Sequence, residues 1–545
     1  MLDAVQAAAL QGRWCVGYVR YEAAPAFDAA LAVHDADGPL AWFAVYDEAL
    51  PWPQPRPAAA SPQVQWQAPL PRPAFDAALT TLLKGIARGE YYQVNFTAPM
   101  SGMVSGAASL DAAAALFCAL QRAQPGGYAA FLDTGDEQVL SVSPELFFDW
   151  RAGHLLTRPM KGTAARGATP EHDAAQADAL RNSPKERAEN VMIVDLLRSD
   201  LSRIAWPFSV RVSALFHTEA LPAVWQMTSD VQARTRAGCT LADVFAALFP
   251  CGSVTGAPKV RAMQAIRALE PEPRGIYCGA VGVVQPGTNG IRATFNVPIR
   301  TVTLRGNAAH CGIGSGITSG SVAESEWQEW RHKQAFLERA SMPFGLLETL
   351  ALENGRLRHA SLHLQRMAAA AARFGYPWDV AQVQKSLHDL AQTHSQGLWR
   401  VRLLLDAAGC FSARAHAMEP SPLQVCLQLA DRPLQAAHGE FVRFKTTRRA
   451  HYDAFTPTAP GVFDSVLWNA EGEITECTRG NVAMLIDGRW VTPPLACGLL
   501  PGVGRALALK NGTLTEAVVR VDELPRVQGW AFLNSMRGWI SARIT

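Results

Sequence analysis

Two lysines and several carboxylates stand in local settings where such groups do chemistry. Lys161 lies in "TRPMKGTAARG", after a proline and among turn-forming glycines, whereas most lysines are plain solvated charges. In "NSPKERAENVMIVDLLRSDL", Ser183, Pro184 and Glu186 form a capping box with proline at the first helical position, so a helix starts there. On that helix Glu189 shares a face with Met192, Ile193 and Leu196, its neighbours at i+3, i+4 and i+7. A carboxylate on an apolar face is costly to bury unless it is paired or bound to a metal. Its simplest partner is Lys185, one turn earlier. A second helix, "ESEWQEWRHK", carries Glu326 and Glu329 three apart on one face, with Lys333 a turn further on. Carboxylates from two helices suit a hard cation such as Mg²⁺, which takes oxygen ligands and keeps positions open for an anionic substrate. The glycine-rich "GIGSGITSGS" just before that helix would offer bare backbone N–H groups to a carboxylate, and "CGSVTGAPKVRAM" is a second such loop running into a helix.

The other lysine, Lys445, ends the alternating run of "EFVRFKTTRRAHYDAF" and on composition alone reads as part of a basic surface loop. Farther on, "GEITECTRGNVAML" places Glu476 at the end of one strand and Asn481 at the start of the next. "GLLPGVGRALAL" is a glycine-rich turn into a helix, whose first amides would hold an anion. An amine, an acid and a phosphate cradle together are what pyridoxal 5′-phosphate (PLP) requires.

These groups must be positioned by more than one domain, since 545 residues exceed a single hydrophobic core. With 49% hydrophobic and 18% charged residues there is ample core material, and a net charge of +2 without long Lys/Arg runs excludes a nucleic-acid or membrane-surface footprint. No apolar run approaches the roughly 20 residues of a membrane span, and "MLDAVQAAALQGRW" does not read as a secretion signal. Ten scattered cysteines without a C-x-x-C pair argue for a reducing cytoplasm, and Cys251 in "FPCGSVTG" reads as a buried structural thiol. Strands are expected at "WCVGYVRYE", "AWFAVYDE" and "LWRVRLLLD", and hairpins within "IYCGAVGVVQPGTNGIRATFNVPIRTVTL" and at the Asp487-Gly488 turn. Helices are expected at "EWQEWRHKQAFLERA" and "SLHLQRMAAAAARFG", and a proline-rich connector spans Pro51 to Gln63. The pattern restarts near Ala340, which sets the expected domains at 1–340 and 341–545.

"GEYYQVNFT", "SVSPELFF", "RPMKGT", "KERAENVMIVDLLRSDL", "GSVTGAPKVRAM" and "IRT" follow one another as in the chorismate-utilising enzymes, which the region from about Thr80 to Lys333 resembles. That family includes anthranilate synthase, isochorismate and salicylate synthases, and aminodeoxychorismate synthase component I. The resemblance implies an α/β (α+β) fold with large antiparallel sheets around a central cleft that binds chorismate and Mg²⁺. It would place Glu189 and Glu329, with Glu326 beside them, at the metal, and make Glu145 the general acid for departure of the C4 hydroxyl. Thr255, Arg300 and the backbone at Gly314 and Gly316 would hold the substrate carboxylates, with Gln93 and Lys333 also lining the substrate. Relatives that add water to chorismate carry lysine where this chain has Gln93, and anthranilate synthases carry alanine where it has Lys161. Aminodeoxychorismate synthases have lysine there, which makes Lys161 a candidate nucleophile toward C2, with Arg158 as a cation to lower its pKa. Trp225 and Gln226 stand where many relatives have a histidine, whose role Gln226 would take by hydrogen bonding.

The order "FGLLET…HLQRM…FKTTRR…ITECTRGNV…LLPGVGR", about Phe344 to Leu507, is similar to two-subdomain fold-type IV PLP enzymes, particularly aminodeoxychorismate lyases. By that resemblance Lys445 meets the cofactor aldehyde, Glu476 the ring nitrogen, and Arg366 with the Val503–Gly504 turn the phosphate. Together the halves imply bifunctional para-aminobenzoate synthesis for folate, from chorismate and ammonia through 4-amino-4-deoxychorismate. The ammonia would come from solution or a separate glutaminase subunit, and a homodimer through the C-terminal domain would follow its relatives' habit. The rivals are an anthranilate synthase component I fused to a branched-chain or D-amino-acid transaminase-like domain, and a C-terminal half that only binds PLP or props up an interface.

Overall fold

In the computed structural model of the chain, residues 1–51, 63–105, 109–124, 127–165, 170–220 and 224–545 are described. All of the proline-rich connector except its end residues lies outside them. The chain divides into two compact units, Met1–Pro343 and Phe344–Thr545.

The first unit holds two antiparallel sheets. One has nine strands in the order Arg211–Ala220, Val224–Arg234, His154–Arg158, Leu146–Arg151, Gly290–Asn296, Ala280–Gly287, Trp14–Val19 and Ala41–Tyr46, with Met160–Ala165 added alongside Val224–Arg234. The other has seven: Gly256–Ala257, Gln93–Val104, Ala308–Thr318, Thr301–Arg305, Gln138–Ser143 and Tyr128–Asp133, with Val64–Trp66 on the far end of Gln93–Val104. The large antiparallel sheets expected of this half are therefore present. Each sheet has its own core. Phe147, Phe148, Phe245 and Phe295 interlock edge to face beneath the first, while beneath the second Phe75 meets Trp330 edge to face and Phe96 packs against both at a tilt.

Two helices carry the acids. Pro184–Ser202 starts as its sequence demands, with Ser183 accepting from the Glu186 N–H at 3.4 Å and Pro184 in the first turn. Ile193, Val194, Leu197 and Leu201 bury its apolar face. Ala323–Ser341 presents Trp330, Phe336 and Leu337 to the second core. "GIGSGIT" departs from expectation: it is the end of the Ala308–Thr318 strand and not a loop, in register with Gln93–Val104 through Thr318↔Gln93. Thr301–Arg305 covers its other edge only as far as Cys311, so the glycine-rich end is open on that side.

The second unit has a four-stranded sheet (Arg356–Leu357, Leu346–Glu353, Leu398–Leu405, Phe411–Ala417) packed on the Ala360–Phe374 and Val380–Thr393 helices. Its second sheet has eight strands and is mixed, with Gln424–Leu429 running parallel to both Val462–Trp468 and Gly538–Ile544. The two sheets have separate apolar clusters, so this unit is itself two-layered. The hairpin at Asp487-Gly488 is as read: Asp487 at φ 49° and Gly488 at φ 74° join Asn481–Ile486 to Arg489–Thr492. Among the described residues no helix is long and apolar enough to cross a membrane.

Candidate active sites

The first site forms where the two sheets of the first unit meet. Lys161 projects from the edge strand Met160–Ala165, and its Nζ donates to the Ser253 carbonyl at 3.3 Å. It also lies 3.5 Å from where a Cβ on Gly316 would stand, and Gln93 Nε2 lies 2.5 Å from that point. Glycine at 316 therefore lets an amine and an amide rest directly on the strand. Gln93 is completely buried, yet both polar atoms of its side chain lack a hydrogen-bond partner, as does Oε1 of the buried Glu145. Leaving such a group unsatisfied costs about 1–3 kcal/mol. Three such atoms near one amine mark a place where a polar ligand completes the bonding. Burial raises the Glu145 pKa above the usual carboxylate value, with Ser253 and Lys161 opposing. The acid is thereby biased toward its proton-carrying form.

Around these groups the backbone is prepared for anions. Lys333 Nζ donates to the Gly314 carbonyl at 2.8 Å. In a strand the C=O and N–H of one residue point to the same side, as do those of residues two apart. The N–H groups of Gly314 and Gly316 thus face the open edge. Thr255 is fully buried and its hydroxyl donates to the Cys251 carbonyl at 3.1 Å, leaving lone pairs on its oxygen. Arg300 donates to the Lys333 carbonyl at 2.7 Å with its guanidinium 5.1 Å over the Phe336 ring. Burial pulls its pKa down to about 10.

The acids face each other across the two helices. Burial lifts the Glu189 pKa to about 6, with Glu186 and Glu329 adding to the rise and Lys161 and Lys185 opposing it. Against burial, Lys333 at 2.7 Å holds Glu329 below its ordinary value. Glu326 is buried and engaged by two hydroxyls, accepting from Ser315 Oγ at 2.7 Å and Ser321 Oγ at 2.8 Å. Among the described residues no three groups of ligating type converge tightly enough to hold a metal ion. The donor chemistry nonetheless fits a hard cation, because Glu189 and Glu329 are acidic oxygens whose charges destabilise one another.

Two partners differ from expectation. Lys185 reaches Glu326 at 3.7 Å and not Glu189, because the Ala323–Ser341 helix brings a buried acid within its reach. Arg158 is not a free cation beside Lys161: it grips Asp230 with two bonds of 2.6 and 2.9 Å from the neighbouring strand. Gln226 is buried on the strand that pairs with Lys161's own, opposite Thr163, while Trp225 Nε1 donates to Asp173 at 2.9 Å. Cys251 is buried and burial pushes its thiol up to about 12, the setting of an inert thiol. Ser253, which links Lys161 and Cys251 and sits against Glu145, had no signal beyond lying in a glycine-rich segment.

The second site assembles in the Phe344–Thr545 unit. The Lys445 carbonyl accepts from Leu347 N–H at 2.9 Å, tying the lysine to the Leu346–Glu353 strand. Burial brings its pKa down to about 8, helped by Arg366 and Arg449 and opposed by Glu348 and Glu476. Glu476, also buried, accepts from Tyr452 Oη at 2.6 Å and Leu500 N–H at 3.1 Å. Burial pushes its pKa up to about 8. Arg366 is held by a fork to Glu348, at 2.7 and 2.9 Å, and donates to the Pro501 carbonyl at 2.8 Å. That bond sets it beside the turn entering the Val503–Lys510 helix, whose N-cap Gly502 offers no side chain to the helix amides. A Cβ on Gly504 would lie 2.8 Å from the Asn534 carbonyl carbon and 2.9 Å from Ser535 N, so this turn lies flat on the neighbouring strand end. His363 completes the layer, with Nδ1 2.7 Å from Glu348 and Nε2 2.8 Å from Ser535 Oγ. Arg366 and His363 together hold the Glu348 pKa down at about 2 despite its burial. A low-pKa amine, a proton-holding acid, and an arginine beside unused helix amides are the groups PLP needs, so the residues fit that cofactor. Glu348, His363, Tyr452 and Ser535 were missed as site residues; only the three-residue spacing of His363 and Arg366 on one helix hinted at them.

Comparison with known proteins found matches for both halves of the chain. Residues 1–339 match the family model of chorismate binding enzymes, and residues 345–544 match that of class IV amino-transferases. Aminodeoxychorismate synthase component 1 of Klebsiella aerogenes is 42% identical over 264 residues, which are 48% of this chain and 57% of that protein. Anthranilate synthase component 1 of Neisseria meningitidis serogroup C is 38% identical over 233 residues, 43% of this chain and 47% of that one. The chain thus spans about half the length of these curated relatives. Among solved structures, anthranilate synthase component I from Streptococcus pneumoniae TIGR4 superimposes with a TM-score of 0.54 at 27% identity, covering 62% of this chain and 85% of its own. With more than half its length matched by one family model, the chain belongs to the chorismate binding enzymes.

Proposed function

We propose that the protein makes 4-aminobenzoate in two steps, with the 1–340 domain forming 4-amino-4-deoxychorismate and the 341–545 domain consuming it. The observation that carries this reading is the Lys161 amine set against the unsatisfied Gln93 and Glu145 side chains. A buried glutamine cannot serve as base for water, whereas an amine in that place can attack carbon. Lys161 Nζ would bond to C2 of chorismate as the ring double bond shifts and the C4–O bond breaks. Glu145, whose burial raises its pKa and favours the proton-carrying form, would give its proton to the departing hydroxyl, which leaves as water. Ammonia then adds at C4, the double bond returns, and Lys161 is released. Ammonia is drawn from solution or from a separate glutaminase. Thr255, Arg300 and the Gly314 and Gly316 amides hold the substrate carboxylates, and Gln93 and Lys333 line the same pocket. Glu189 and Glu329, with Glu326 supporting from behind, would hold Mg²⁺, which supplies positive charge against a substrate carboxylate.

In the second unit PLP, when bound, supplies an electron sink for carbanion chemistry. Arg366 and the Val503–Gly504 turn would hold its phosphate, Glu476 would keep a proton at the ring nitrogen, and Lys445 would anchor the aldehyde. With the substrate amine in place, Lys445 would be the base that takes the proton from C4. The C3–O bond then breaks and the enolpyruvyl group leaves as pyruvate. A lysine held near a pKa of 8 can serve as that base close to neutral pH.

Incubation with chorismate, Mg²⁺ and an ammonium salt, followed by mass and fluorescence analysis, tests the reading. The para isomer with pyruvate is expected, and the ortho isomer would show an anthranilate synthase instead. Lys161→Ala should abolish formation of the intermediate but leave its consumption intact, and Lys445→Ala should do the reverse. Loss of both activities in each folded variant would overturn the division of labour.

A further inference from the structure

The second site holds a cation that the scheme above leaves unused. Arg449 lies four residues after Lys445, at the N-cap of the short Ala450–Asp453 helix, and is half-buried. One of its nitrogens donates to the Thr478 carbonyl at 2.6 Å. Its guanidinium stacks 4.8 Å over the Tyr452 ring, the phenol whose hydroxyl bonds Glu476. Arg449 is therefore one side chain away from the acid assigned to the cofactor ring. Among the described residues no carboxylate pairs with it, whereas the charge of Arg366 is offset by the fork from Glu348. The lowered Lys445 pKa, to which Arg449 contributes, is consistent with a cation close to the amine. A guanidinium carries five N–H donors in a planar fork suited to a carboxylate, and one protein carbonyl engages only one of them.

We propose that Arg449 is the residue by which the second unit selects amines that carry a carboxylate, receiving that carboxylate in its open fork while the Tyr452 ring fixes the guanidinium plane. The inference rests on the second unit being a PLP enzyme acting on an amine, and it deepens that reading by assigning how the anionic substrate is recognised. For 4-amino-4-deoxychorismate the bound group would be one of its two carboxylates.

The test uses the full PLP-loaded chain and its Arg449→Gln and Arg449→Lys variants. Two probes, benzoate and aniline, are titrated against the cofactor absorbance, and KM and kcat are measured on supplied 4-amino-4-deoxychorismate. Arg449→Gln is expected to weaken benzoate binding and raise KM at least tenfold, with aniline binding, PLP affinity and kcat within about threefold of wild type. Arg449→Lys should recover part of the benzoate affinity. Equal losses for benzoate and aniline, or a KM change that vanishes when PLP is saturating, would overturn the assignment, the latter placing Arg449 on the cofactor. The benzoate comparison needs no turnover. A wild-type protein that binds PLP but leaves 4-amino-4-deoxychorismate untouched would therefore refute the lyase reading while Arg449 is still judged by the probes.

Discussion

Glu476 and Lys445 show how burial sets single groups to work, and each leaves a signature in stability. The Glu476 carboxyl has an ordinary pKa of 4.5 and is pushed up to about 8 in the fold. Between those values the unfolded chain has lost the proton that the folded chain keeps, so stability falls as pH rises through that window. The slope is at most about 1.4 kcal/mol per pH unit for one proton. Lys445 acts in the other direction, its depressed pKa adding stability as pH rises from about 8 toward 10.5. Denaturant titrations of cofactor-free protein at pH 5.5 and 7.5 should therefore show a steeper decline than that of Glu476→Gln; equal declines would mean that the acid is ionised in the fold. At this scale the sequence was legible where the lysines and acids sit in motifs. It was not legible where a partner comes from a distant strand. Arg158 looks like a spare cation three residues from Lys161, yet Asp230, 72 residues on, claims it. Nor could any local pattern show that both ends of Gln93 would be left unsatisfied, since that depends on what the surrounding segments fail to supply.

The elements that carry these groups were easier to anticipate when their own periodicity decided them. The Pro184–Ser202 and Ala323–Ser341 helices follow from caps and apolar spacing, and the Asp487-Gly488 hairpin follows from turn chemistry. "GIGSGIT" misleads because glycine is a poor strand former and usually marks a turn. Here the strand is dictated by its neighbours: Gly316 exists to admit Gln93 and Lys161, and the pairing with Gln93–Val104 supplies the backbone bonds that propensity would not. The same crowding gives a test at Gly504. A methyl there would press on backbone atoms of Asn534 and Ser535, which cannot swing aside as a side-chain end can. Gly504→Ala should lift the first turn of the Val503–Lys510 helix off its cradle and weaken PLP binding at least tenfold by spectral titration. Far-ultraviolet circular dichroism should stay unchanged. Unaltered PLP affinity would show that this turn does not grip the phosphate.

At the scale of the whole molecule, what stands out is that chemistry is confined within each unit. Every group of the first site comes from residues before Pro343 and every group of the second from residues after it. The restart of the pattern at "SMPFGLLETL" was visible because a long amphipathic helix ends at Ser341 and a buried strand begins at Leu346. Which strands would neighbour one another was not visible, since the nine-stranded sheet joins residues as distant as Cys15 and Val284. Separate apolar cores also mean that heat has two objects to melt and not one. Scanning calorimetry should resolve two endotherms, and saturating PLP should move only one of them upward by mass action. A single endotherm that shifts as a whole would reveal that the two halves share their cohesion. If they do not, and the proposed two-step function holds, a cell short of vitamin B6 would hold a protein whose latter half has lost that stabilisation while the former could still commit chorismate to an intermediate left unfinished.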